Sequence, residues 1–480
     1  MQINSIDYAS IVFTEERIQY WNKKSSHSEQ WGRFREYYKN RLLELYKYAI
    51  PRDSTVLELG SGNGDLLGKL APAVGVGVDF SSAFIDEAKK SYPNLSFVEM
   101  DACKLNLGQK FDYVICSDLL NELWDVQACL SNIKKHCHQD SRVLLNIHSN
   151  LWQFPRRLAA KLGIARPQLT QNWLTPEDIA NLLYLSGFEI VRRSSEILWP
   201  FKIPFISGFL NKFLVKIFPF SIFGLTNFFI ARPIFSCRTE EPIVSVIVPA
   251  RDEAGNIAAI FERTPTMGKG TELIFVEGGS TDGTYEAIET LIKNQKRHAM
   301  VKLLRQTGKG KGDAVRLGFA NASGSLLMIL DADLTVSPED LPLFYSAWFN
   351  GKADFVNGVR MVYPMEGHAM PFINMVGNKF FSLAFTYLLG QPVKDTACGT
   401  KVLTKKNYGP ILANRENFGN FDKFGDWDLL FGASKFNLKI VDVPIRYRDR
   451  TYGSTKMQKW RIGYLLTRMV IVGLRKLKFT

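Results

Sequence analysis

Two separate series of alternating strand and helix patterns run along the 480-residue chain, and they constrain the fold more than any other feature. In the first series, short apolar or β-branched segments alternate with amphipathic stretches, and the predicted strands are 55–59, 74–78, 96–99, 113–116 and 142–147. This alternation is typical of an α/β fold with a doubly wound parallel sheet. A helix and two strands are predicted to complete it, at 175–186, 189–191 and 227–231.

The pattern lapses in a short polar segment and then begins again. Residues 236–241 are Ser-Cys-Arg-Thr-Glu-Glu, and a second series follows with strands predicted at 244–248, 273–276, 301–304 and 326–330. A chain of this length exceeds what one hydrophobic core usually serves. The sequence therefore predicts two α/β domains, residues 1–238 and residues 243–480.

Composition, cysteine pattern and hydropathy argue against a disordered protein, a disulfide-rich secreted protein and a membrane-spanning protein. Apolar residues make up 46% of the chain and charged residues 22%, as in ordinary globular proteins. The six cysteines form no Cys-x-x-Cys pair, and no signal peptide is apparent, so a reducing cytoplasm is expected. The uncharged segment 217–231 is shorter than the roughly 20 residues that a spanning helix needs, and it is predicted to belong to the core.

The chain is basic, with 60 Lys and Arg against 47 Asp and Glu, a formal charge of +13. This excess favours anionic partners such as nucleotides, lipid phosphates or a membrane surface. Residues 451–480 contain seven basic side chains and no acidic one, between apolar residues of partly helical period. This tail has two interpretations, a helix in a membrane interface or a final helix packed on the sheet with a solvated basic face.

A glycine-rich turn after the first strand is the main functional signal of the first domain. The segment 58–64, Glu-Leu-Gly-Ser-Gly-Asn-Gly, separates a strand from a helix, where a ligand can approach the backbone. Asp79 ends the next strand, 21 residues after Glu58, where a carboxylate can accept both ribose hydroxyls. Asp101 and Ala102 follow the third strand.

This order and spacing, over about residues 40–235, resembles the class I S-adenosylmethionine-dependent methyltransferases. The resemblance implies S-adenosylmethionine as the cofactor, with Glu58 among the residues that bind it. Gly60, Gly62 and Gly64 would line its amino-acid end, Asp79 would hold the ribose, and Asp101 and Ala102 would meet the adenine. A nicotinamide dinucleotide site is an alternative, because it uses a similar turn and acidic residue. A second alternative is a tight turn that binds no ligand. For Asp101 alone, a helix cap is the alternative to an adenine contact.

Methyl transfer to oxygen generally requires a base beside the acceptor. Candidates follow the fourth and fifth strands, at Asp118, Glu122 and His148. The alternatives are a structural role for His148 and a solvated helix start for the two carboxylates.

In the second domain, the apolar segment 328–330 ends in Asp331-Ala332-Asp333. Side chains two residues apart on an extended backbone point to the same side, so both carboxylates can reach one divalent cation. A hard cation such as Mg²⁺ or Mn²⁺ can bridge a diphosphate and neutralise charge on a leaving nucleotide. An isolated Asp-x-Asp is usually a solvated turn, so its neighbours decide the interpretation.

Three blocks precede this motif and three follow it, at 246–253, 275–284, 310–314, 393–401, 426–428 and 446–456. Together they resemble family 2 glycosyltransferases of the GT-A fold, and among these the polyprenyl-phosphate (dolichyl-phosphate) mannosyl- and glucosyltransferases. The resemblance implies a nucleotide-sugar donor, a divalent cation, and a polyprenyl phosphate or other lipid-linked acceptor.

The resemblance also implies roles for single residues. The base and ribose of the donor would be framed by Pro249, Arg251, Glu253 and Glu277. The metal and the diphosphate would be bound by Asp331 and Asp333. The phosphates of donor and acceptor would be held by Arg360, Arg450 and Lys456. Asp426 and Asp428 would position an ionised lipid phosphate, or one of them would act as base toward a sugar hydroxyl, and a helix-start cap is the alternative.

One departure from this family concerns Gly278. The family usually has two successive aspartates before Gly-Ser, and here Glu277-Gly278 lacks the second carboxylate. Processive polysaccharide synthases share the fold, but their Gln-x-x-Arg-Trp block is absent, because residues 458–461 are Gln-Lys-Trp-Arg.

The leading functional hypothesis is a bifunctional enzyme that transfers a sugar from a nucleotide donor and methylates a glycan-related acceptor. A second is a glycosyltransferase whose first domain binds S-adenosylmethionine without catalysis, and a third is an RNA-binding methyltransferase. Since no nucleic-acid-binding module is recognised, no nucleic-acid partner is expected. Peripheral contact with the inner face of a membrane is expected.

Overall fold

The computed structural model describes all residues except 1–4, 26–31, 163–168, 295–299, 365–371, 420–423, 451, 453–458 and 480. The chain forms two compact units, Met1–Phe235 with Phe479–Thr480, and Ser236–Lys478. Each unit contains a seven-stranded sheet with helices, which confirms the predicted α/β fold class.

The first unit is built from helices and strands in alternation. Its strands are β1 (Thr55–Leu59), β2 (Val74–Asp79), β3 (Ser96–Glu99), β4 (Phe111–Ser117), β5 (Cys137–His148), β6 (Phe188–Ile197) and β7 (Thr226–Pro233). Its helices are α1 (Ser5–Ser25), α2 (Gly32–Ala49), α3 (Asp65–Leu70), α4 (Ser82–Ser91), α5 (Val126–Lys135), α6 (Gln153–Lys161), α7 (Pro176–Leu185) and α8 (Ile206–Lys212).

The strands of the first sheet follow the order β3-β2-β1-β4-β5-β7-β6, and β7 runs antiparallel to both of its neighbours. Leu59 at the end of β1 pairs with Val78 of β2 and with Cys116 of β4. Because parallel strands end at a common edge, the segments that follow β1, β2 and β4 meet there. The glycine turn, Asp79 and Asp118 are therefore neighbours.

The uncharged segment 217–231 is core only in its second part. Its residues from Phe228 to Ala231 lie in β7 and are buried, at 0–4% exposure. Phe218 is 77% exposed and Phe223 56%, because they precede β7, in short turns outside the sheet. The prediction that the whole segment is core is wrong for residues 217–223.

The second unit continues the alternation. Its strands are β8 (Ile243–Ala250), β9 (Gly270–Glu277), β10 (Val301–Arg305), β11 (Leu326–Ile329), β12 (Phe355–Val359), β13 (Lys401–Thr404) and β14 (Ile440–Pro444). Its helices are α9 (Ala254–Arg263), α10 (Thr284–Asn294), α11 (Lys311–Asn321), α12 (Leu341–Phe349), α13 (Phe372–Leu389), α14 (Lys405–Ala413), α15 (Asp426–Lys435) and α16 (Lys459–Gly473).

The second sheet has the order β10-β9-β8-β11-β13-β12-β14, in which β13 is antiparallel to β11 and β12. Ala250 at the end of β8 pairs with Glu277 at the end of β9, and Ile247 of β8 pairs with Ile329 of β11. The segments after β8, β9 and β11 therefore leave the sheet at one edge, and Arg251, Glu253, Asp331 and Asp333 lie in them.

The basic tail forms α16 and a π-helical turn, Leu474–Lys478. Leu466, Met469 and Leu477 are buried in the core of the second unit, while Arg468 and Arg475 are exposed. Of the two interpretations of the tail, the structure agrees with a helix packed on the domain. No helix in the described part of the chain combines the length and the apolar character needed to cross a bilayer.

A buried ion pair ties the end of β12 to the segment before β13. Nε and Nη2 of Arg360 donate to the two carboxylate oxygens of Asp395 at 2.7 and 2.9 Å, and Asn378 of α13 donates to Asp395 at 2.8 Å. Asp395 is fully buried. Burial raises the pKa of its carboxyl, but Arg360 outweighs this effect and lowers the pKa to about 2.

We expect Asp395→Ala to destabilise the second unit by about 3–5 kcal/mol, because it leaves a buried guanidinium without its counter-charge. Arg360→Leu/Asp395→Leu removes both charges and should cost less than the single change. Since the folded pKa of about 2 lies below the usual 3.8, the stability due to Asp395 should persist above pH 3.8 and be lost as pH falls toward 2.

Urea unfolding measures these free energies, with the exposed Glu286→Ala as the matched control. A double variant as unstable as Asp395→Ala would contradict the argument.

Candidate active sites

A cavity of about 540 Å³ lies at the edge of the first sheet where β1, β2 and β4 end. Its lining includes the predicted residues Glu58, Gly60, Gly62 and Asp79, and also Tyr38, Asp118 and Glu122. The size fits a nucleoside-sized ligand, because small-molecule sites span roughly 300–1,000 Å³.

The glycine turn forms one wall of this cavity with a backbone that favours glycine. Gly60, Gly62 and Gly64 have φ values of 69°, 52° and 78°, in the left-handed region. The Gly62 N–H donates to Asp79 Oδ2 at 2.9 Å, and a Cβ at Gly62 would meet no heavy atom within 4 Å. The turn is thus held by Asp79 and leaves room for a ligand.

Glu58 and Asp79 are acids in a poorly solvated place. Burial raises the pKa of Glu58 to about 8, the Leu67 N–H bond at 3.1 Å opposes this, and the nearby Asp79 adds to it. Burial also raises the pKa of Asp79, against hydrogen bonds from Ser81 and Gly62. A cationic ligand would favour the ionised form of both.

The cavity lining is acidic although the chain is basic. It contains six carboxylates, Glu36, Glu58, Asp65, Asp79, Asp118 and Glu122, against the two lysines Lys39 and Lys69. Trp21 of α1, with Phe80 and Phe84, supplies aromatic surface. Acidic and aromatic groups together suit a ligand with a positive charge and a flat ring.

Asp101 and Ala102 are not part of this lining. Asp101 Oδ1 accepts the Cys103 N–H at 2.9 Å and caps a short 3₁₀ helix, Ala102–Lys104. The capping alternative is therefore realised, and an adenine contact stays a prediction.

The acceptor candidates form a hydrogen-bonded cluster beside the cavity. The Tyr38 hydroxyl lies 3.0 Å from both Asp118 oxygens and 3.5 Å from His148 Nδ1, and Asn146 donates to Asp118 at 2.6 Å. Burial and the Asp118 carboxylate raise the pKa of Tyr38 well above its usual value. Asp118 has a φ of 53°, an uncommon backbone state for a non-glycine residue.

Tyr38 was not identified from the sequence, because it lies in α2, before the first strand and outside any motif. Glu122, by contrast, lines the cavity as a candidate acceptor group and also lies 3.5 Å from the buried Arg17 of α1.

In the second unit, Lys311 links two predicted carboxylates. Its Nζ lies 2.5 Å from Asp331 Oδ1 and 3.8 Å from Asp426 Oδ2. Burial would lower the pKa of Lys311, but Asp331 and Asp426 outweigh it and raise the pKa above its usual value. The block 310–314 was recognised in the sequence, but the role of Lys311 needed the contact across the fold.

Asp333 is paired with a different cation. Its Oδ2 accepts from Arg450 Nη2 at 2.6 Å, and its Oδ1 accepts from the Thr335 hydroxyl at 2.7 Å. The side chain of Asp331 is 26% exposed and that of Asp333 is 12% exposed. Two partly exposed carboxylates two residues apart supply the hard oxygen ligands that Mg²⁺ or Mn²⁺ prefers, so these residues fit such an ion.

Asp426 and Asp428 occupy the first turn of α15, after Gly425 with φ 77°. Negative charge is stabilised at a helix N-terminus, which accounts in part for two buried acids there. Asp428 Oδ2 also accepts from Arg415 Nε at 3.0 Å. Asp426 therefore faces Lys311, and Asp428 faces Arg415.

The residues predicted to frame the donor base lie at the ends of β8 and β9 or directly after β8. Arg251 is exposed and Pro249 half-buried, whereas Glu253 Oε2 accepts from Asn256 at 2.8 Å, and Glu277 accepts the Ser280 N–H. At Gly278, a Cβ would lie 3.1 Å from Gln306 Oε1. An amide thus stands beside the position where the family has its second carboxylate.

The predicted phosphate ligands are in three different situations. Arg450 contacts Asp333, Arg360 is committed to Asp395, and Lys456 lies outside the described residues. Within the described part of the chain, no group of three or more His, Cys, Asp or Glu residues could hold a metal ion.

Comparisons with known proteins match both halves of the chain. The family model described as Glycosyl transferase family 2 matches residues 245–408, and the model described as Methyltransferase domain matches residues 56–140. Glycosyltransferase AglJ of Haloferax volcanii is 29% identical over 225 residues, which are 46% of this chain and 69% of the relative.

An undecaprenyl-phosphate 4-deoxy-4-formamido-L-arabinose transferase of Salmonella paratyphi B is 23% identical over 231 residues, 47% of this chain and 66% of the relative. A solved SAM-dependent methyltransferase of Thermotoga maritima, described as a possible histamine N-methyltransferase, has a TM-score of 0.35 at 14% identity. The alignment covers 44% of this chain and 97% of the Thermotoga chain. The chain therefore joins a methyltransferase domain to a domain of glycosyl transferase family 2, and the recognition of these two families from the sequence motifs is confirmed.

Proposed function

We propose that the chain is a bifunctional enzyme. Residues 243–480 would transfer a sugar from a nucleotide donor to a polyprenyl phosphate or another lipid-linked acceptor. Residues 1–238 would use S-adenosylmethionine to methylate a glycan-related acceptor. The observation that carries the proposal is the pairing of Asp331 with Lys311 and of Asp333 with Arg450 at the edge of the second sheet.

For sugar transfer, Asp331 and Asp333 would hold Mg²⁺ or Mn²⁺. The bound cation would neutralise the charge that develops on the leaving nucleoside diphosphate. Lys311 and Arg450 already pair with these carboxylates, so they are close enough to contact the phosphates of a bound donor. Lys311 also holds Asp426 near the same point and would orient it toward the acceptor.

A lipid phosphate as acceptor is supported by two observations. A phosphate is ionised at neutral pH and needs no strong base, so the buried Asp426 and Asp428 suffice as positioning groups. Helix α13 also presents a row of exposed apolar side chains, Ile373, Val376, Phe380, Leu383 and Tyr387. The Salmonella relative is named for an undecaprenyl-phosphate acceptor.

For methyl transfer, the acidic and aromatic cavity of the first unit would hold S-adenosylmethionine, whose sulfonium and amino groups are positive. Glu58 and the glycine turn would bind the amino-acid end, and Asp79 the ribose. The bound donor would supply an electrophilic methyl group. Tyr38 would orient an acceptor hydroxyl, and Asp118 or His148 would receive its proton.

We expect Asp333→Ala to lower metal-dependent sugar transfer by at least about a hundredfold, because it removes one ligand of the cation and leaves Arg450 without its partner. The measurement is release of nucleoside diphosphate from a panel of nucleotide sugars, with polyprenyl phosphate and Mn²⁺ or Mg²⁺. Glu286→Ala on the exposed face of α10 is the control. Full activity of Asp333→Ala would remove the proposed metal role.

Glu58 makes S-adenosylmethionine binding depend on pH. Since the pKa of Glu58 in the free protein is about 8, the side chain is mostly neutral well below this pH and mostly a carboxylate above it, so it attracts a cationic ligand only at the higher pH. We expect Glu58→Gln to bind like the wild type at pH 6 and about tenfold more weakly at pH 9.

Isothermal titration calorimetry measures both affinities. Their ratio at each pH cancels the titration of the ligand's own amino group. Glu87→Gln, on the exposed side of α4, is the matched control. Equal affinities of wild type and Glu58→Gln at pH 9 would show that Glu58 does not contact the cationic part of the ligand.

A further inference from the structure

The connection between β6 and β7 has an unusually apolar surface. Among residues 198–225, Phe205 is 97% exposed, Phe218 77%, Phe209 58% and Phe223 56%. Soluble proteins seldom expose large contiguous apolar patches without a partner. We call residues 198–225 the aromatic segment.

The polarity of this segment is inverted, with polar side chains inside and aromatic ones outside. Asn211 is fully buried, accepts the N–H groups of Leu198 and Trp199 at 2.8 and 2.9 Å, and donates to the Trp199 carbonyl at 2.7 Å. Ser207, 2% exposed, accepts the Ile203 N–H and donates to the Phe201 carbonyl, both at 2.7 Å. These bonds hold the backbone so that the phenylalanines point outward.

Helix α6 and the turn before it extend the same surface. The exposed side chains of Leu151, Phe154, Leu158 and Leu162 follow a helical spacing. The indole N–H of Trp152 donates to the Phe223 carbonyl at 2.9 Å, which attaches this row to the aromatic segment.

The charges around the apolar side chains have one sign. Residues 149–162 and 198–225 contain no Asp or Glu. Their basic residues include Arg157, Lys161 and Lys202, which are exposed. An apolar surface with a basic margin matches the interface of a bilayer with anionic headgroups, where aromatic rings lie at headgroup depth and lysines reach phosphates.

We propose that the aromatic segment and α6 form a membrane-binding surface of the first unit, with an anionic lipid bilayer as the partner. Phe205 is the most exposed apolar side chain of the aromatic segment, and Phe154 is the most exposed one of the α6 row. Both enter the interface, and the basic residues contact lipid phosphates. None of its residues lines the cavity of the first unit, and the surface does not depend on either proposed activity. It would hold the methyltransferase unit against the membrane.

The test is flotation of the full-length protein with vesicles of phosphatidylcholine alone or mixed with phosphatidylglycerol. We expect the wild type to bind the mixed vesicles, and Phe154→Ser/Phe205→Ser to reduce the partition coefficient at least about tenfold. Lys161→Glu/Lys202→Glu should abolish the preference for phosphatidylglycerol. Thermal unfolding of each variant should match the wild type, because the changed side chains lie on the surface.

Two control variants make the result specific. Tyr184→Ser/Leu185→Ser removes exposed apolar side chains from α7 and should bind as the wild type does. Ile373→Ser/Phe380→Ser changes the apolar row of α13 and shows how much binding comes from the second unit. Wild-type binding by Phe154→Ser/Phe205→Ser, or no vesicle binding by the wild type, overturns the proposal. Lipid-free self-association abolished by Phe154→Ser/Phe205→Ser would overturn it in favour of a contact between copies of the chain.

Discussion

The convergence of carboxylates at the ends of parallel strands is the constraint on which both sites depend. The sheet topology brings acids from separate segments to one edge, where burial makes their charges costly. The two units compensate this cost differently. In the second, Lys311 and Arg450 supply counter-charges to Asp331 and Asp333. In the first, Glu58 stays protonated at neutral pH, with a pKa of about 8. One unit thus pairs its acids with cationic side chains, and the other keeps a buried acid neutral until a positive charge approaches it.

The sequence predicted what is local in the chain. The strand at Thr55–Leu59, the glycine turn after it, and the carboxylates after Ile329 all follow from short stretches of residues with a clear period. It did not predict partners that are distant in sequence. Tyr38 reaches Asp118 from a helix 80 positions earlier, and Lys311 reaches Asp426 across the fold. No spacing rule connects such pairs, because loop paths decide them.

Burial was also harder to predict than secondary structure. The segment 217–231 is uncharged throughout, yet β7 begins at Thr226, and most of the residues from 217 to 223 are exposed outside the sheet. Conversely, the basic tail has the composition of an interfacial helix, yet Leu466, Met469 and Leu477 complete a core. Hydrophobicity indicates that a side chain is more stable away from water. Whether other protein groups or a nonprotein phase such as a lipid bilayer cover it depends on the fold.

Gly399 shows how strictly the second site limits its own variation. A Cβ at this position would overlap both the Asp331 carboxylate and the Lys311 ammonium group. The salt bridge between Asp331 and Lys311 therefore also depends on Gly399, because only a residue without a side chain leaves room for both charged groups. Alanine at this position would require the carboxylate, the ammonium group or both to move, so the missing side chain of Gly399 is part of what allows this contact.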